Sequence, residues 1–438
     1  MKLTVLALFI FLHCMVLGQP AEKIVLDLDK ALELALENNF DLVNAKLDKD
    51  IADEQVKEAY GTSLFPSIDG NVNYMRALKQ GVIIIDAPGF SGSFPSGTKN
   101  TLTGSVSVEQ PLFTGAMFLA VKIAKTYADF AEKGLYSTKA DVKVSVEESY
   151  YNVLLAKELV KLGELNLELS KKNLDDTESM YNAGIAAEYD YLTANVQYRN
   201  LIPALTEVKN QLRIGKNNLR ILLGLDLNTE LIIDDSLHYS IKKAVSLDEG
   251  ASLLLKRNHL IQQLEMDVKL KDLNSSYEFS KYFPELNLSG TWQAQAQEND
   301  DKSFSRWFYT NSVNVGLNLK VPIFNGFATA SRVEQAEIDH KKSLAELNKT
   351  KLNLKNQLEN VLLSIKKSKE QVEAYELNVE QTFRGYEIAT KRFNTGLGTQ
   401  LEVTDALVDF TQAKVNYLTS IRDYHVYNAN LQSLLGNL

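Results

Sequence analysis

The residue types that most often do chemistry are sparse in this chain. It holds one cysteine, Cys14, and five scattered histidines among 438 residues. A single thiol forms no intrachain disulfide and no cysteine-ligated zinc site. No two histidines stand at the spacing of an HExxH pair, and no Ser, His and acid grouping has a recognisable catalytic spacing. No catalytic residue, metal ligand or cofactor-binding residue is therefore expected. Charge narrows the choice further. Lys plus Arg is 47 against 56 Asp plus Glu, a net of −9. General nucleic-acid binding needs clustered positive charge, so nucleic acid is not an expected partner.

With little chemistry to place, the elements carry the information. Lys2 precedes an apolar run from Leu3 to Phe11, and Val16 and Gly18 fit the −3 and −1 positions of a signal-peptide cleavage site. Residues 1–18 are expected to be removed, leaving an exported chain that starts at Gln19 and has no cysteine. His13 stands before Cys14 where a lipoprotein signal would carry a small residue, so an ordinary cleavage is expected. No later stretch has 18 consecutive apolar residues, so no membrane helix is expected. None of the eight prolines follows Pro322, so the rest of the chain is free to be helical.

The chain reads as two copies of one unit. QPLFTG at 110–115 answers VPIFNG at 321–326, with prolines 211 residues apart. MYNAG ending at Gly184 answers RFNTG ending at Gly396, and LLG ending at Gly224 answers LLG ending at Gly436, both 212 apart. LFPSIDG around Pro66 answers YFPELNLSG around Pro284, and LDKALELAL from Leu28 answers LDEGASLLL from Leu247, with offsets of 218 and 219. The expected plan is a first repeat at 19–224, a linker at 225–246 and a second repeat at 247–438. Each repeat holds one helix (28–60 and 247–282), two strands joined by a loop, a very long helix, and a last helix ending at LLG. The loops are 77–100 and 298–306. The LIIDD segment of the linker is read as a strand of a belt.

The strands alternate strictly. Leu286, Leu288, Trp292, Ala294 and Ala296 face Asn287, Ser289, Thr291, Gln293 and Gln295. Val313, Val315, Leu317 and Leu319 face Ser312, Asn314, Asn318 and Lys320. The first repeat sets Ile68, Val72 and Tyr74 against Asp69, Asn71 and Asn73, and Leu102, Val106 and Val108 against Thr103, Ser105 and Ser107. One apolar and one polar face fit a half-wet soluble sheet. Behind a signal peptide, roughly 10-residue strands with small polar partners fit a membrane barrel better. The spans 115–184 and 326–396 contain no proline, and at about 1.5 Å per residue each helix would be about 100 Å long. Leu344, Leu347, Leu354, Leu358, Val361, Ile365, Val372, Tyr375 and Val379 hold one heptad-like seam for lengthwise packing. Four strands cannot close a membrane barrel, since the smallest have about eight. Open edges are not tolerated in lipid, so copies of the chain must pool strands.

These residues resemble the TolC-type outer-membrane efflux proteins over nearly the whole mature chain. The resemblance rests on the ordered double set of strand entries, QPLFTG and VPIFNG exits, glycine turns and LLG endings. It implies a mainly α fold with a membrane β portion: a homotrimer with a 12-stranded outer-membrane β-barrel, continued by a periplasmic α-helical barrel. It implies a passive export duct, not an enzyme, whose partners are a periplasmic adaptor protein, an inner-membrane pump and outer-membrane lipid. A secreted coiled-coil scaffold is the alternative, and detergent dependence separates the two.

Residue by residue, the resemblance places a periplasmic constriction at 392–405. Glu402 and Asp405 match acidic tunnel-facing positions, and Asp190 is the matching acid after the first-repeat glycine. The family's gate carries a tyrosine where Phe393 stands and an arginine where Gly398 stands, so closure by packing of Phe393 replaces a polar latch in this reading. Gly184 and Gly396 are expected to turn the helix tips, since glycine takes left-handed helix ends. Pro111 and Pro322 are expected at strand-to-helix junctions. Trp292, Trp307 and some tyrosines are candidates for an interfacial belt.

Overall fold

The computed structural model describes residues 23–437. The expected cleavage after Gly18, and Cys14, lie outside them. In chain order the elements are β1 (Lys23–Val25), α1 (Leu28–Asn38), α2 (Phe40–Leu64), β2 (Ser67–Arg76), β3 (Gly81–Ala87), β4 (Phe90–Ser96), β5 (Asn100–Phe113), α3 (Met117–Asn182) and α4 (Glu188–Leu222). There follow β6 (Glu230–Ile232), α5 (Leu247–Arg257), α6 (His259–Ser280), β7 (Glu285–Glu298), a 3-10 turn (Phe304–Arg306), β8 (Phe308–Lys320), α7 (Ala328–Asn394) and α8 (Gln400–Leu434). The two long helices have 66 and 67 residues. Neither compact unit is a single sequence repeat. One comprises the described residues through Leu47, Lys133–Gln263 and Asn348 onward, and the other Asp48–Glu132 and Leu264–Leu347.

The first unit is helical. Its core gathers Ala31 and Ala35 of α1, Val146, Tyr150 and Val153 of α3, Leu219 of α4, Leu231 of β6 and Ile421 of α8. On α7 the expected seam holds at Leu354, Leu358 and Val372, all buried. β6 pairs in parallel with β1, from Lys23↔Glu230 to Val25↔Ile232. The LIIDD strand thus pairs with the N-terminal segment. The chain after β6 has no regular structure of its own, so its polar groups need outside partners. Lys157 Nζ reaches the Ile233 and Asp235 carbonyls at 2.5 and 3.0 Å, and the Tyr150 hydroxyl donates to the Asp235 carboxylate. The Lys242 amide donates to the Tyr424 hydroxyl at 2.8 Å.

The expected single helix at the start of each repeat is two helices. The breaks fall at Asn39 and Asn258, both extended at ψ 130° and 124°. Each asparagine works in two directions. Asn39 Oδ1 accepts from the Asp41 and Leu42 amides, while its Nδ2 donates to the Leu222 carbonyl at 2.8 Å. Asn258 Oδ1 accepts from the Ile261 amide, while its Nδ2 donates to the Leu434 carbonyl at 3.2 Å. The break thus caps the next helix and ties it to the far end of its own repeat.

The second unit holds one antiparallel sheet of order β2-β5-β7-β8. Its register gathers apolar side chains into rows that cross all four strands. Ile68, Val108, Gly290 and Val315 form one row, and Gly70, Val106, Trp292 and Val313 another. The rows between them are polar, as with Asp69, Ser107, Thr291 and Asn314. Two expectations change here. Pro111 lies inside β5 at a register shift before Phe113, where a bulge tolerates a missing N–H. Pro322 does follow the end of β8. The expected loop 77–100 carries a hairpin of its own, β3 with β4.

Candidate functional site: an apolar sheet face and two helix tips

A soluble sheet buries its apolar face, because exposed apolar surface is costly. This one leaves it open. Val72, Val313, Val315 and Leu317 are 67–77% exposed, and Trp292 is 46% exposed. Aromatic side chains flank the face at both strand ends. Tyr74 and Tyr309 share the last apolar row, with Trp307 and Phe308 beside it. Phe113, Phe283, Phe324 and Phe327 stand at the other end, all exposed. Phe327 is held at φ 63°, a costly conformation for a bulky residue, and its ring meets Phe324 edge-on at 5.4 Å. An apolar band between aromatic girdles is the outer surface of a membrane barrel. Trp292 sits mid-strand within the band rather than at a girdle; Trp307 lies at the strand end.

The sheet is incomplete. β2 and β8 each pair on one side only among the described residues. Every residue of both strands is exposed. Their free N–H and C=O groups need partners, since lipid supplies none.

The helix tips repeat one design. α3 ends with Gly184 at φ 72°, the Ile185 amide returning to Met180 O at 2.8 Å and the Gly184 amide to Tyr181 O at 2.9 Å. α7 ends with Gly396 at φ 73°, Leu397 returning to Arg392 O at 2.8 Å and Gly396 to Phe393 O at 2.9 Å. Both are Schellman ends, which need a left-handed residue at the glycine. The next helices start differently. Thr399 caps α8, its hydroxyl accepting from the Glu402 amide at 3.3 Å. Ala187 has no such oxygen, and Asp190 reaches back to the Ala187 amide at 3.4 Å instead.

Around the second tip, Glu402 and Asp405 are both exposed, on the face of α8 opposite the buried Val403, Leu407 and Phe410. Arg392 crosses the turn to Glu402 at 3.7 Å and donates to the Leu397 carbonyl at 2.9 Å. Both partners of that ion pair are half exposed, so it contributes little energy. A side chain at Gly398 would come within 3.1 Å of the Arg392 Cβ and the Glu402 carboxylate. No ion pair among the described residues reaches Asp405, nor Lys391 in the last turn of α7. Phe393 differs from expectation: it is 4% exposed and is the tip-end member of a buried cluster of the same chain that also holds Tyr386, Ala389, Val403, Leu407 and Phe410. Its ring holds the tip together from within and is not presented outward. Asp190 stands on the other tip, at the start of α4.

Sequence reading passed over two features. Arg392 bridges the turn, and only its basic type opposite Glu402 could have signalled that. Ile185, Leu397, Tyr189 and Leu401 are 60–76% exposed at the tips. They pair across the repeats at the offset of 212 already seen in the glycines.

A family model described as "Outer membrane efflux protein" matches residues 31–225 and 250–437. The Outer membrane protein TolC of Escherichia coli K12 is 22% identical over 417 residues, covering 92% of this chain and 80% of that protein. The protein of the same name from Vibrio cholerae is 21% identical over 337 residues, covering 77% of each. Among solved structures, the outer-membrane channel OprN superposes with a TM-score of 0.77 at 19% identity, covering 94% of this chain and 90% of that one.

Proposed function

The chain belongs to the outer membrane efflux protein family, and we propose that three copies of it close one channel gated at the second helix tip. Members of this family are passive outer-membrane channels of tripartite efflux and type I secretion systems, and this chain is one: a duct, not an enzyme. The observation that carries the shared barrel is the pair of open edges, β2 and β8, on a sheet whose apolar face is ready for lipid. Three copies contribute twelve strands. Each edge then pairs with a neighbour, and no backbone group is left in lipid. In this reading the helical unit lies in the periplasm.

Asp405 of each copy faces the axis, with Glu402 one turn away. Three carboxylates close together draw in cations and favour their passage. Arg392 offsets part of the Glu402 charge, so Asp405 sets the effect. The exposed Ile185, Leu397, Tyr189 and Leu401 form the contact for a periplasmic adaptor coupled to an inner-membrane pump. Desolvating such side chains contributes about 1.5–3 kcal/mol each. The test is single-channel recording in a planar bilayer. Asp405→Ala is expected to lower cation selectivity and weaken block by multivalent cations, and Glu402→Ala to do so less. Unchanged selectivity and block in the double variant would put both acids on the outside of the tube.

A further inference from the structure

Between β2 and β5 the chain leaves the sheet and returns, forming a hairpin that pairs with no other described strand. β3 and β4 run from Gly81↔Ser96 to Ala87↔Phe90 around Pro88 and Gly89, with Gly89 at φ 96°. Directly opposed residues share a face. Ile83 opposes Phe94, Ile85 opposes Gly92 and Ala87 opposes Phe90, so beyond Ser96 at its base one face is apolar to the turn. The other face mixes Val82 and Ile84 with Asp86, Ser91 and Ser93. The apolar face is uncovered: Ile83 and Phe90 are 53% exposed, Ile85 and Phe94 45%. Phe90 and Phe94 stack on each other at 5.8 Å. A lone two-stranded hairpin is marginal in water and needs packing against something else.

Lipid is not that partner. The hairpin base is a hydrogen-bonded polar belt. Gln80 Nε2 donates to the Gly97 carbonyl and to Asn299 Oδ1, at 3.0 and 2.9 Å. Arg76 grips Asp300 through two bonds of 2.9 and 3.1 Å, and Lys99 adds its charge at 3.5 Å. This belt adjoins the aromatic strand end of Tyr74, Trp307 and Tyr309. Aromatic and charged groups together mark the membrane–water boundary, so the hairpin beyond them stands in water.

We propose that the apolar faces of three such hairpins, one from each copy, pack on one another as a cap over the channel mouth. The proposal rests on the three-chain ring argued above. Reach is sufficient. Seven residues per strand extend about 23 Å at about 3.3 Å each. Twelve strands about 4.8 Å apart and tilted about 40° enclose a mouth about 24 Å across. Each hairpin therefore reaches past the axis from its place on the rim. Charge does not oppose the contact, because Asp86 is the single ionisable residue from 81 to 97 and lies on the other face. The partner is thus a second copy of this chain, and the cap is a closure distinct from the helix tips.

The one cysteine lies in the segment expected to be cleaved, so single-cysteine variants read cleanly. In detergent-purified protein treated with a short bis-maleimide, Phe94→Cys is expected to give cross-linked dimers on denaturing gels. Ser93→Cys, on the mixed face, is expected to give few. Native mass is measured on the same samples. A three-chain mass with no Phe94→Cys cross-link overturns the cap and leaves the ring intact; a one-chain mass overturns both. Reaction of Phe94→Cys with a lipid-phase maleimide alone would bury the hairpin in the membrane and also overturn the cap. As a second readout, Ile83→Ser with Phe94→Ser is expected to raise single-channel conductance by roughly two-fold or more, the effect of opening a hydrophobic constriction. Unchanged conductance in an intact ring counts against the proposal.

Discussion

His425 and His259 are the two histidines of the helical unit whose burial depresses the pKa, and His425 is the more deeply buried. It is 4% exposed, stacked on Tyr151 at 4.4 Å, and its Nε2 donates to the His238 carbonyl at 2.9 Å. Tyr424 lies edge-on at 5.8 Å. Burial holds its pKa below the usual 6.5; the His238 carbonyl opposes that, and the nearby Lys242 and His238 charges reinforce it. A base whose folded pKa is depressed takes up its proton more readily when unfolded. Stability is therefore full above about pH 6.5, falls as the pH drops from there toward the depressed value, and levels off below it. Thermal unfolding in detergent across pH 5 to 8, followed by helix ellipticity, is expected to show this fall, and His425→Gln to reduce it, with His259 supplying the remainder. An equal fall in the variant would assign the effect to another group. Nothing local in the sequence marks His425 as buried; its partners come from α3 and from the chain after β6. Phe393 is parallel. Its type and position fit a gate, yet the buried cluster it joins draws Val403 and Leu407 from the next helix, and that makes it core.

At the scale of elements, α3 changes character along its length. Val142, Val146, Tyr150 and Val153 fill its buried stripe at mid-length, while Asn166, Ser170, Asn173 and Thr177 fill it toward the tip. Asn166 Nδ2 bonds Thr411, and the Thr177 hydroxyl bonds the Asn173 carbonyl. Asn173 Oδ1, Ser170 Oγ and both amide atoms of Gln400 have no hydrogen-bond partner among the described residues. Each unpaired buried polar group costs about 1–3 kcal/mol. The tip half of α3 thus packs through polar side chains where its middle packs through apolar ones. Asn173→Leu is expected to stabilise the protein by about 1 kcal/mol and to slow amide exchange near Gly184 and Gly396. Faster exchange would show that Asn173 is needed for packing. Much at this scale was legible in the sequence. The long helices follow from missing prolines, the sheet from strict alternation, and the tips from glycine. The breaks at Asn39 and Asn258 were not legible, because docking of distant residues makes them. A Cβ on Gly224 would lie 2.3 Å from the Asn38 carbonyl, and one on Gly436 2.4 Å from that of Arg257. The glycines showed in the repeat, but their contacts did not. The polar stripe was partly legible: Asn166 and Asn173, like Ser170 and Thr177, stand seven apart, and a search for apolar heptads passes over them.

The whole molecule follows from one imbalance. A sheet of four strands has an apolar face for lipid, girdles at both ends and two edges that lipid cannot satisfy. The strand pattern dictated pooling before any contact was visible, while the number three came from the family alone. In the proposed three-chain ring, the long helices, the tip acids and the β3–β4 hairpin would each meet their copies. Native mass measurement of the purified protein in detergent tests this most directly. The account expects three times the mass of the processed chain, in an assembly that persists on dilution. A stable single chain that keeps its strands in detergent would contradict it.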